Sequence, residues 1–201
     1  MAQLDRAVAG VTGTRAHLVD ALDANQAAAT QLDRTDALCA VGDGTAARAS
    51  FVKSLPLTRA ARLGRIGLPA ALAEYRRALA ALQSASAAVS GGARKALTAV
   101  VRDGNAEAAA VEDYRHGLDP AWPPYDALSA DEDVWSTHAV AGWYRSRSEG
   151  AAAYSVLVGA KRPVLEAART RLARAASVVA GPIGVQSATL TAANTAMQGL
   201  H

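Results

Sequence analysis

Between residues 68 and 118 the apolar residues keep helical time twice, on either side of one short break. Leu68, Leu72, Tyr75, Leu79, Leu82 and Val89 recur at spacings of four and three, with Ser86 in the remaining slot. Leu97, Val100, Val101, Ala108, Val111, Tyr114 and Leu118 mark a second face, and Ser90-Gly91-Gly92 lies between the two. A period near 3.6 residues gathers each set on one side of a helix. A connection this short turns the second helix back along the first. The pattern predicts a central antiparallel helical hairpin over 68–118. No segment alternates cleanly between apolar and polar residues as a half-buried strand does, so a strand-rich fold is not expected.

The N-terminal segment carries a longer stripe. Leu4, Val8, Val11, Leu18, Leu22, Ala29, Leu32 and Cys39 fall at alternating spacings, and Arg15, Asn25 and Asp36 complete the row. One apolar seam on a helix of about 35 residues follows, its polar interruptions suited to fixing register. Gly10 and Gly13 weaken the first turns by roughly 1 kcal/mol each relative to alanine. Gly42-Asp43-Gly44 ends the helix.

Downstream the punctuation is denser. Pro56, Gly64 and Gly67 divide 45–67 into short helices, and Pro69 suits the first turn of the next. Pro120, Pro123 and Pro124 make 117–130 a loop. Ser129 and Glu132 form a capping box for a helix running toward Ala160. Pro163 kinks or restarts that helix, Leu165, Ala168, Leu172 and Val179 continue its apolar face, and Gly181-Pro182-Ile183-Gly184 stops it. The uncharged stretch from Val185 to Leu200 reads as a final small-residue helix.

These segments give an all-α fold, a helical bundle of five to seven helices. The chain reads as a single domain over 1–201, or as a bundle over 1–117 and C-terminal helices over 130–201 joined by the Pro-rich loop 118–129. Composition agrees with helix. Of 201 residues, 51 are alanine, which has the best helix propensity, and only 40 are Leu, Val, Ile or Phe. A core this rich in alanine buries little area per residue. Its helices must therefore pack closely or draw stability from a partner.

Charge is ordered in blocks. Residues 1–43 carry −3, 44–102 carry +9, 103–133 carry −8 and 134–201 carry +5, with no Asp, Glu, Lys or Arg after Arg174. Blocks of this size suit complementary helix faces or separate partner surfaces. The arginine excess, 18 against 3 lysines, is what GC-rich codon usage produces, so by itself it says little about nucleic acid.

Several constellations bear on function. Arg48, Arg59, Arg62, Arg65, Arg76 and Arg77 form a basic run over 48–77 that suits a polyanion backbone, in a salt-dependent manner. Seven of the nine aromatics lie within 114–154. Trp122, Tyr125 and Trp135 are the candidate partner-binding residues among them, because Trp and Tyr join large contact area to a polar tip. Glu112, Asp113 and His116 have helical spacing for metal ligation, yet a di-iron bundle needs paired Glu-x-x-His motifs, and only Asp113-x-x-His116 occurs. Ser50-x-x-Lys53 lacks the companion motifs of a serine acyl-transfer enzyme. Cys39, the only cysteine, completes an apolar stripe and permits no intrachain disulfide. No catalytic, cofactor or metal residues are assigned, and no cofactor or small-molecule substrate is expected.

No signal peptide or membrane-spanning window stands out, which makes a cytoplasmic location the expectation. The sequence thus leads to a non-enzymatic α-helical interaction or scaffold protein acting in an oligomer or assembly, with a protein partner or self-association. Nucleic-acid or polyanion binding through 48–77 is the alternative. A metal-dependent helical-bundle enzyme is third.

Overall fold

The computed structural model describes residues 2–41, 43–118 and 147–198, together with Pro123. Four α-helices occupy these stretches: α1 (Ala2–Ala40), α2 (Gly44–Ala85), α3 (Gly91–Leu118) and α4 (Arg147–Gln198), with one 3-10 turn (Ser86–Ala88) after α2. The fold class is all-α, and no strand occurs among the described residues. None of their helices is long and apolar enough to cross a membrane.

The expected breaks within α2 and α4 do not form. The 42-residue α2 passes through Pro56, Gly64, Gly67 and Pro69. The 52-residue α4 passes through Pro163 and the Gly181-Pro182-Ile183-Gly184 run. The described residues therefore hold four helices where five to seven were expected of the chain. An interior proline costs a helix about 3 kcal/mol; around Pro182 the buried Val179, Leu190 and Met197 offset it at roughly 1.5–3 kcal/mol per large apolar side chain. Pro56, Pro69 and Pro163 are exposed. Past Pro182, Gln186, Leu190, Ala193 and Met197 are buried and hold the last turns in place.

Helix starts follow local chemistry. Asp43 caps α2, its Oδ1 accepting the Ala46 N–H at 3.0 Å. The turn before α3 closes with the Val89 N–H donating to the Ser86 carbonyl at 3.4 Å. Gly91 then takes φ +64°, a conformation open to glycine at little cost.

Two compact units emerge, each built from separated stretches of sequence. The first comprises residues 1–20, 66–117 and 173–201. Its core collects Leu4, Val11 and Leu18 of α1, then Leu68, Leu72, Tyr75, Leu79 and Leu82 of α2. Leu97, Val100, Ala108, Val111 and Tyr114 of α3 and Val179, Leu190 and Met197 of α4 complete it. Leu68 to Leu82 of the first stripe and Leu97 to Tyr114 of the second thus face inward. Tyr75 bonds Glu107 and Arg76 bonds Glu112, so α2 and α3 touch directly.

The second unit comprises residues 21–65 and 118–172, and its described core is of another kind. Leu22, Ala28 and Leu32 of α1 and Ser50, Ser54, Thr58 and Ala61 of α2 are all buried in it. Thr35 donates to Ser50 Oγ at 2.8 Å, and Gln31 Nε2 donates to the same oxygen at 2.8 Å and to the Ser50 carbonyl at 2.9 Å. A β-carbon on Gly64 would lie 3.2 Å from the Ala21 carbonyl oxygen, so the two backbones approach closely there. Asn25, a polar interruption of the first stripe, is buried and donates to the Ala21 carbonyl at 2.6 Å. Arg169 of α4 pairs with Asp33.

Candidate functional site

Among the described residues the densest polar chemistry is a buried cluster in the first unit, with a contribution from each of the four helices. Glu107 of α3 is completely buried. Arg15 of α1 donates Nε–H to both of its carboxylate oxygens, at 2.9 and 3.0 Å, and brings Nη2 within 2.9 Å of Oε1. Tyr75 of α2 donates its hydroxyl to Glu107 Oε2 at 2.7 Å. Gln186 of α4 donates to the Tyr75 oxygen at 3.0 Å and to the Val100 carbonyl at 3.1 Å. Arg15 Nη2 also donates to the Ile183 carbonyl and to Ser187 Oγ, both at 2.9 Å.

Gly104 makes room for this arrangement. A β-carbon there would stand 2.5 Å from Leu79 Cδ2 and 2.9 Å from both Gln186 Nε2 and the Tyr75 oxygen. One turn further along α3, Glu107 occupies the same face. Small residue and acid together admit a tyrosine and a glutamine from two other helices.

Burial acts most strongly on the tyrosine of this cluster. Burial, reinforced by donation to Glu107, pushes the Tyr75 phenol far above its ordinary value. It is therefore a neutral donor at physiological pH and not a nucleophile. Tyr114, buried nearby in sequence, is pushed up to about 12 by desolvation. Nearer the surface, Asp103 accepts from Arg102 Nε at 2.7 Å and from the Thr189 hydroxyl at 2.7 Å, and those bonds lower its pKa. The Glu107 cluster's hydrogen bonds run between its own members and the adjoining backbone. It joins four helices at one point, an arrangement that sets register.

Of the six arginines in the basic run, Arg59, Arg62 and Arg77 are exposed, Arg65 is half-buried, and Arg76 pairs with Glu112 at 3.4 Å. Arg48 lies on α2, but its side chain is outside the described set. Arg76–Glu112 ties the basic block to the acidic one. The metal constellation is occupied otherwise. Glu112 accepts from Arg115 Nη2 at 2.7 Å and Nε at 3.0 Å, and Arg115, before Arg76 and His116, lowers its pKa. Its charge is already compensated, and Asp113 is exposed. Among the described residues no group of three His, Cys, Asp or Glu side chains is placed to hold an ion. Trp122, Tyr125 and Trp135 lie outside the described residues.

The Glu107 cluster was not assigned from sequence. Arg15 interrupting an apolar stripe was its one visible trace, and the partner acid stands 92 residues away. No protein-family model matches this chain, and no curated protein or solved structure matches it.

Proposed function

We propose that this is a non-enzymatic α-helical interaction or scaffold protein that works in an oligomer or a larger assembly. One observation carries the reading: large apolar side chains stand in water along two of the helices. Leu63 and Ile66 on α2 are each 70 % exposed, and Val52 on α2 and Val178 and Val185 on α4 are all more than half exposed. Each side chain of this size gains roughly 1.5–3 kcal/mol when fully buried. Helix faces left this way are the raw material of association. Residues 68–118 serve in this reading as a rigid helical hairpin, tied by Tyr75–Glu107 and Arg76–Glu112.

Light scattering across a wide concentration range, with recovery of stoichiometric partners from the native source, tests the proposal. A defined oligomer or a partner held in fixed ratio supports it. A folded monomer at every concentration with no such partner ends it.

Polyanion binding through 48–77 is the second reading, supported by the exposure of Arg59 and Arg62. Salt titration against duplex DNA and RNA addresses it. Electrostatic binding is strongest near ~50 mM salt, and no affinity there removes the idea.

A further inference from the structure

From Ser50 to Leu63, α2 is inverted relative to its own downstream half. Ser50, Ser54, Thr58 and Ala61 are buried, while the opposite side carries Val52, Pro56, Arg59 and Leu63 at spacings of four, three and four, all exposed. Rotation cannot repair this. A β-carbon on Gly64 would stand 3.2 Å from the Ala21 carbonyl oxygen and 3.3 Å from its α-carbon, so a leucine brought to that position would crowd α1. The outer row is flanked by the exposed cations Lys53 and Arg62. No acid occurs between residues 44 and 73.

We infer that this outer face of α2 docks an acidic amphipathic helix from a protein partner. The inference rests on the interaction-protein reading and names its surface. A four–three–four row is the contact a helix makes with another helix. Val52 and Leu63 supply apolar anchors, the aliphatic stem of Arg59 covers the space between them, and the flanking cations select a partner with Asp or Glu beside its own apolar residues. A nucleic-acid backbone would use the cations and leave Val52 and Leu63 in water. A lipid surface calls for a broader apolar face than one row provides.

The full chain is titrated against a fluorescent three-heptad peptide with Leu at its a and d positions and Glu at e and g, and against a twin carrying Lys in place of Glu. The Glu peptide binds and the Lys twin does not. Leu63→Ser weakens binding about tenfold, the scale of one lost apolar anchor. The double variant Lys53→Glu/Arg62→Glu shifts preference to the Lys twin while keeping the parent's circular dichroism and thermal transition, so the reversal reads the flanking charges and not a loss of fold. Equal binding of both peptides, binding of neither, or indifference to Leu63→Ser overturns the inference. Tighter Leu63-dependent binding to phosphatidylserine vesicles or to duplex DNA overturns it as well. If the peptides fail while light scattering still finds an assembly unaffected by Leu63→Ser, this face is wrong and the interaction role stands.

Discussion

Along α2 two stretches of one helix solve the packing problem in opposite ways. Residues 68–82 turn Leu68, Leu72, Tyr75, Leu79 and Leu82 inward, whereas residues 50–61 turn Ser50, Ser54, Thr58 and Ala61 inward. The first stretch gains its stability from area removed from water. The second relies on backbone proximity and on hydroxyls that satisfy one another. The difference teaches that helical periodicity and burial are separable. A helix can keep its period and still present its bulkier side to solvent when the small side fits a neighbour more closely.

The sharpest way to break the large-residue seam is through its buried charge. Glu107→Ala leaves Arg15 unpaired and should destabilise the chain by about 3–5 kcal/mol, read by urea denaturation. Next in size, Gly104→Ala drives a methyl against Leu79 and should cost about 1–3 kcal/mol, with the near-ultraviolet signal of Tyr75 perturbed. In the small-residue seam, Thr35→Val removes one hydroxyl donor from Ser50 and should cost about 0.5–1.5 kcal/mol. Native-state hydrogen exchange compares the seams directly, with amides at 68–82 expected to outlast those at 50–64.

Acid tests the seam's edge. The folded Asp103 carboxyl lies below its ordinary value because of Arg102 and then Thr189. Its contribution is therefore present above its unfolded pKa, about 3.9, and is lost as pH falls through the folded value. Asp103→Asn should flatten that part of the stability–pH curve. The smallest effect is expected outside, where Leu63→Ser should change monomer stability by less than about 0.5 kcal/mol. A larger loss would mean that Leu63 already has a partner within the chain.

Much of the fold was legible because helical faces repeat locally. The inward stripes over 68–82 and 97–114 and the stop near Gly42-Asp43-Gly44 need only neighbours in sequence. Pro182 misled because propensity records the local cost of a proline and not the burial of Val179 before it and Gln186 and Leu190 after it. Arg15 was visible as an interruption and Glu107 as an acid, but their pairing depends on how distant helices meet. The inward turn of Ser50, Ser54 and Thr58 was hidden for a related reason. Hydropathy ranks Val52 and Leu63 as core residues and has no measure of how closely Gly64 and Ala21 approach.

The bonds around Glu107 also lengthen the contacts that folding must close. Helical proteins usually fold fast because their contacts are local. Here Arg15 reaches Glu107 across 92 positions and Ile183 across 168, and Gln186 reaches Tyr75 across 111. As the chain is synthesised, Arg15, Tyr75 and Glu107 all emerge well before the α4 groups that complete their cluster. The groups that bond Glu107 directly, Arg15 and Tyr75, lie on α1 and α2, so the ion pair needs nothing from α4 to form. What α4 adds is closure, with Gln186 donating to Tyr75 while the Ile183 carbonyl and Ser187 hydroxyl accept from Arg15.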